Sequence, residues 1–202
     1  MKIIAYTQRV EIIESYGERR DCADQMLPKF LRCCGFLPIP IPNVPELVDD
    51  FLLEIKPRGI FLSGGNSLVK YGGNAPERDQ TETLLIDYAI EHDIPTFGIC
   101  RGMQFIADRF GAKLEPIENH VRVRHAISGR INREVNSFHT LGLFDVPNCL
   151  KILARADDNS VEAIAHSRLK IAAIGWHPER EINFADADVS MLKNFFERGA
   201  WI

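Results

Sequence analysis

Apolar and polar positions along this chain fall into two textures that meet near Gly111. Before it, short apolar runs alternate with stretches of helical period. Residues 2–7, 36–42, 59–63 and 94–99 read as strands, and 45–56 and 77–92 as helices. That alternation predicts an α/β fold, a mostly parallel sheet flanked by helices. Pro38, Pro40 and Pro42 in the second run point to a sheet edge. A helix between the first two strands ends near Cys34 and Gly35, with Pro28 imposing a kink or a late start. After Gly111 the segments shorten, at 112–117, 133–138, 150–155, 161–165 and 170–175. They read as antiparallel additions and returns to the main sheet. Val189, Leu192, Phe195 and Phe196 share one face of a closing helix over 186–198. No repeat, low-complexity tract or linker interrupts the pattern, so a single domain over 1–202 is expected.

The run 94–99 delivers Cys100 between small residues, and a helix pattern follows at once: Met103, Ile106, Ala107 and Phe110, stopped by Gly111. Strand, sharp turn and helix build a nucleophile elbow, which presents its side chain at the strand's carboxyl end. A cysteine there sits at a helix N-terminus, where the dipole favours thiolate. A second apolar run, 171–174, leads to His177 and Glu179, suited to act as base and orienter. Alone, a cysteine ending a strand is usually a small core residue, and His-Pro-Glu an ordinary turn. Together, with the elbow glycines, they read as a cysteine hydrolase. Among the other histidines, His92 lies at a helix end, His120 and His125 flank basic residues, and His166 sits in a turn; His139 is the one competitor as base. Backbone N–H groups of Arg101 and of Gly65 or its neighbour are placed to hold an oxyanion. Gln104, one turn beyond the nucleophile, faces the cleft.

Gly98-Ile99-Cys100-Arg101-Gly102-Met103-Gln104 resembles the G-x-C-x-G-x-Q signature of class I glutamine amidotransferase domains. His177-Pro178-Glu179 resembles their H-P-E element, and Ser63-Gly64-Gly65 their oxyanion loop. Tyr16-Gly17-Glu18-Arg19-Arg20-Asp21 and Val135-Asn136-Ser137-Phe138-His139 are similar to segments of the free-standing γ-glutamyl hydrolases. The resemblance implies a flavodoxin-like sheet and attack by Cys100 on a γ-glutamyl amide through a glutamyl thioester. It also implies that Gln104 helps hold the glutamyl group, and that Ser137, Phe138 and His139 belong to the segment binding its α-amino and α-carboxyl groups.

Composition narrows the partners. A net charge of −4 gives no general reason to expect nucleic acid or membrane surfaces. No apolar run approaches the ~20 residues of a membrane span, and the first residues read as a strand, not a signal peptide. Five cysteines without a C-x-x-C pair suggest free thiols in a reducing cytoplasm. The six histidines are scattered along the sequence, and no His/Cys/carboxylate group has metal-ligand spacing, so neither metal nor cofactor is expected. Arg9, Arg19 and Arg20 follow the first strand, and Arg122, Arg124, Arg130 and Arg133 lie in the connection 119–134. Arginine forks suit phosphate oxygens, so Arg19, Arg122 and Arg124 are candidate contacts for a nucleotide-linked γ-glutamyl substrate. Glu18 or Asp21 would instead suit the amine of a γ-glutamyl amine, and residues 70–73 offer a lid. The alternative is a glutaminase subunit serving a separate synthase; the lack of a fused synthase domain favours a free-standing hydrolase.

Overall fold

The computed structural model describes residues 1–199 and 201. Along the chain come β1 (Ile3–Tyr6), a hairpin of β2 (Arg9–Ile13) and β3 (Glu18–Cys22), α1 (Met26–Cys33), β4 (Leu37–Pro40), α2 (Val48–Ile55) and β5 (Gly59–Leu62). Next are α3 (Pro76–Glu91), β6 (Thr96–Ile99), α4 (Arg101–Arg109), β7 (Glu115–Pro116), β8 (Val121–Gly129) and β9 (Arg133–Phe138). β10 (Leu141–Gly142), β11 (Leu150–Ala156), β12 (Val161–His166), β13 (Ile171–Ile174) and α5 (Asp186–Arg198) complete it. Nine strands form one sheet in the order β4-β1-β5-β6-β13-β12-β11-β8-β9. From β4 to β13 every pairing is parallel. From β13 to β9 every pairing is antiparallel.

Side chains of the central strands alternate between two cores, as the period of two requires. Ala5, Ile60, Leu62, Ile171 and Ala173 face a core closed by Val48 and Leu52 of α2, Leu85 and Ile86 of α3, and Met103 and Ile106 of α4. Ile4, Phe61, Phe97, Ala172 and Ile174 face the other, closed by Phe30 and Leu31 of α1 and by Leu192, Phe195 and Phe196 of α5. Helices on both faces make the central strands apolar throughout; β5, β6 and β13 are buried at every residue.

The proline-rich β4 is an edge strand, and Pro28 is the third residue of a late-starting α1. Three expectations change. The β2–β3 hairpin occupies a region read as leading straight into a helix, because its charged residues carry no apolar alternation. The connection 119–134 contains β8, whose only buried residue is Ile127. The segment 112–117 shrinks to the two-residue β7. Strand β13 returns to the main sheet with one neighbour of each kind, antiparallel to β12 and parallel to β6.

That last pairing positions the site. The carboxyl ends of β1, β5, β6 and β13 lie side by side, and each is followed within three residues by one that forms or supports the candidate site: Thr7, Ser63, Cys100 and His177. Open α/β sheets bind ligands at this edge.

Candidate active site

Cys100 caps α4 with φ 48° and ψ −106°, a conformation that L residues rarely adopt. Its N–H donates to Ile174 O across β13 (2.8 Å), and its carbonyl accepts from Gln104 N (3.1 Å). The bend also needs the glycines around it. A Cβ at Gly98 would stand 2.6 Å from the Gly102 backbone, and one at Gly102 2.3 Å from Leu62 O. The elbow therefore sits directly on the end of β5. The expected strand–turn–helix is present, and α4 stops as predicted before Gly111 in a left-handed conformation.

His177 and Glu179 come together with Cys100. Glu179 Oε1 lies 2.6 Å from His177 Nδ1, and both side chains are nearly fully buried. Asn136 fixes the histidine's backbone: its Oδ1 accepts from His177 N and its Nδ2 donates to His177 O, both at 2.8 Å. Phe138 meets the imidazole edge to face at 5.5 Å. Burial pushes the Cys100 thiol up, but the charge and hydrogen bond of His177 outweigh it and hold the thiol below its ordinary range. For His177, burial favours the neutral form; the Cys100 and Glu179 charges reverse this and raise it to about 10.

The oxyanion loop is held from behind by a residue that no sequence motif singles out. Arg78 of α3 is fully buried and donates to the carbonyls of Ser63 (2.8 Å), Gly64 (3.1 Å) and Gly65 (2.5 Å). In trans peptides the next residue's N–H points opposite to the carbonyl. The N–H groups of Gly64, Gly65 and Asn66 thus point away from Arg78. His177 packs against Gly64, where a Cβ would meet its Cε1 at 2.6 Å. The other expected donor, Arg101 N–H, is in the first turn of α4, where N–H groups lack intrahelical partners.

One carboxylate joins these two parts. Glu82 accepts from Arg78 Nε (3.0 Å) and Thr7 Oγ1 (2.9 Å), and it pairs with Arg101, which also pairs with Asp79. Thr7 Oγ1 in turn accepts from Ser63 N (3.0 Å). The Arg101 side chain is therefore spent on α3. A signal for this existed: Arg78, Glu82, Leu85 and Ala89 follow i, i+4, i+7, i+11 and share a buried stripe, so the two charges fall on an apolar face.

The substrate-segment residues divide. Gln104 is buried beside this segment, and its Nε2 donates to Leu141 O (2.8 Å), an oxygen that His139 Nδ1 also approaches (3.1 Å). Ser137 is buried and donates to His120 O (2.8 Å). His139 lies 3.3 Å from Glu162, while the pairing with Glu179 belongs to His177. The arginines expected to contact substrate are placed as follows. Arg19 is held by Glu77 and Asn74 O, and Arg124 by Glu134 and Glu181. Arg122 is an exposed bulge residue in a left-handed conformation. The hollow bordered by Gly64, Gly65, His177 and Glu179 is lined by Arg9 and Arg180, the latter stacked over Phe138 at 4.4 Å. Asp21 is committed to Asn43, and Glu18 to Arg20. The segment read as a lid is a short 3-10 turn tied by Lys70 and Tyr71 to Asp108. Two of the histidines that are scattered in sequence, His120 and His125, converge in space with Glu162. No described helix is long and apolar enough to cross a membrane.

Known proteins share this arrangement of chain. A γ-glutamyl-CDP-amidate hydrolase of Campylobacter jejuni is 32% identical over 198 residues, 96% of each chain. The anthranilate synthase component 2 of Methanocaldococcus jannaschii is 29% identical over 168 residues, covering 73% of this chain and 79% of that one. A glutamine amidotransferase from Thermotoga maritima superposes with a TM-score of 0.62 at 15% identity, over 88% of this chain and 76% of that one, a likeness of fold. The family model for glutamine amidotransferase class-I matches residues 21–198, and the chain belongs to that family.

Proposed function

We propose that this protein is a free-standing γ-glutamyl hydrolase. The observation that carries the reading is Cys100, strained at a strand end, beside a His177 whose Nδ1 lies 2.6 Å from Glu179. The Cys100 thiolate attacks the δ-carbonyl of a γ-glutamyl amide, and the oxyanion that forms is met by N–H groups of Arg101 and Gly65. The His177 imidazolium gives its proton to the leaving nitrogen as the C–N bond breaks, leaving a glutamyl thioester. The neutral imidazole then takes a proton from water, hydroxide adds to the thioester, and glutamate and the thiolate separate. Glu179 keeps the ring proton on Nδ1 and balances the imidazolium charge.

The leaving group we propose carries a nucleotide, with cytidine diphosphoramidate as product and capsular phosphoramidate synthesis as its setting. The Campylobacter relative supports this, as do the Arg9 and Arg180 guanidiniums bordering the same hollow as His177. The Methanocaldococcus relative, one component of a synthase, favours a second reading, a glutaminase subunit that needs a synthase partner. Glutamate release from γ-glutamyl-CDP-amidate, γ-glutamyl amines and glutamine by the purified chain separates the two, with Cys100→Ala as control. Preference for the nucleotide substrate is expected. Activity on glutamine alone, or only with added cell extract, would replace the first reading with the second.

A further inference from the structure

Behind the substrate segment, four side chains from three strands or their ends meet at one point. His120 precedes β8, His125 lies within it, His139 follows β9, and Glu162 is in β12. Positions 120 and 125 are an odd number apart and would face opposite sides of a regular strand. A bulge between Val121 and Val123, with Arg122 at φ 57°, changes that parity. The two rings consequently lie with centroids 4.5 Å apart.

From Glu162 Oε1 the distances are 3.3 Å to His139 Nε2, 3.5 Å to His120 Nδ1 and 3.7 Å to His125 Nε2. Donors at about 2.1 Å from a tetrahedral ion stand about 3.4 Å from one another. The Glu162 side chain is fully buried, yet neither carboxylate oxygen has a hydrogen-bond partner; nor has His125 Nε2 or His139 Nε2. Such orphaned groups are rare in folded proteins and call for an explanation. The outer partners sharpen the case. His120 Nε2 faces Asp158 Oδ2 at 3.0 Å, and His139 Nδ1 faces the Leu141 carbonyl at 3.1 Å. Each acceptor takes the ring's proton, so in the neutral ring the lone pair is on the nitrogen aimed at Glu162. Lone pairs facing a buried carboxylate repel unless a cation lies between them. A carboxylate or carbonyl behind a histidine is also how metal-binding rings are oriented.

We infer that His120 Nδ1, His125 Nε2 and Glu162 form a site for one zinc-type divalent ion, with His139 Nε2 beside the same carboxylate oxygen. Nitrogen and carboxylate donors in this number suit zinc. The ion would tie β8 to β12 beside the segment 137–139.

The test uses the full chain carrying Cys100→Ser, so that the neighbouring thiolate takes no metal, stripped with a chelator. Zn²⁺ is titrated against a chromophoric competitor, and Co²⁺ is followed by its visible spectrum. One equivalent should bind, with a four-coordinate Co²⁺ spectrum lacking a thiolate charge-transfer band, and Tm should rise. Glu162→Gln should weaken binding by at least about 100-fold. His125→Asn, at a partly exposed position, supplies the same comparison if Glu162→Gln does not fold. Absence of a saturable equivalent, a thiolate-type Co²⁺ spectrum, or unchanged binding in the folded variants would overturn the site and leave a proton bridging the cluster.

Discussion

At Cys100 the backbone holds a conformation that costs about 1–3 kcal/mol, and the cost is met by the strand and helix on either side of it. Strain of this kind serves presentation of the side chain, so little stability depends on the sulfur itself. Cys100→Ala should lower turnover by about 10⁴–10⁶-fold with the urea midpoint nearly unchanged. Turnover within about 100-fold of the unaltered enzyme in a pure preparation would refute the nucleophile assignment. The thiol's ionisation depends on His177, because burial by itself pushes it upward. Iodoacetamide should alkylate Cys100 at a pH below the ordinary thiol range, and His177→Ala should move that titration above it. A titration unmoved by the substitution would mean that the pair is not coupled. Glu179→Gln should cut kcat by about 10²–10⁴-fold with little change in KM. These residues were legible in the sequence because each ends an apolar run and brings its own turn chemistry. Asn136 and Glu162 were not, since each acts on a partner that only strand pairing supplies.

The same limit holds for whole elements. Strands buried on both faces, such as β5, β6 and β13, announce themselves as continuous apolar runs. The β2–β3 hairpin and β8 keep most of their residues in solvent, so their polar sequences resemble loops. Helix α3 conceals the most, because its buried ion pairs look like an ordinary solvated face. Glu82→Gln removes the charge shared by two buried guanidiniums and should destabilise the fold by about 3–5 kcal/mol in urea titrations. It should also lower kcat, as both oxyanion donors lose their common anchor. Gly64→Ala tests the loop alone. Its Cβ would displace the His177 ring, so activity should fall by about 100-fold while stability drops by about 1–3 kcal/mol. Unchanged turnover would mean that the ring does not depend on this contact.

Over the whole molecule, the site occupies the edge where the parallel half of the sheet gives way to the antiparallel half. The parallel half contributes Cys100, the loop 63–65 and, through β13, His177; the antiparallel half contributes Asn136 and the segment 137–139. For the nucleotide-linked substrate proposed here, this acidic chain offers attraction locally, through Arg9 and Arg180 at the hollow. Arg180→Ala should raise KM for γ-glutamyl-CDP-amidate about tenfold or more, in keeping with loss of a charge-assisted contact, and leave glutamine nearly unaffected. Equal effects on both substrates would remove the phosphate role. The anchoring of both jaws to α3 has a consequence for thermal motion. Because Arg78 ties residues 63–65 to that helix and Arg101 ties the start of α4 to it, a displacement of α3 is expected to carry both proposed N–H donors together. The spacing of those donors would then be set by three side chains buried beneath them: Arg78, Glu82 and Arg101.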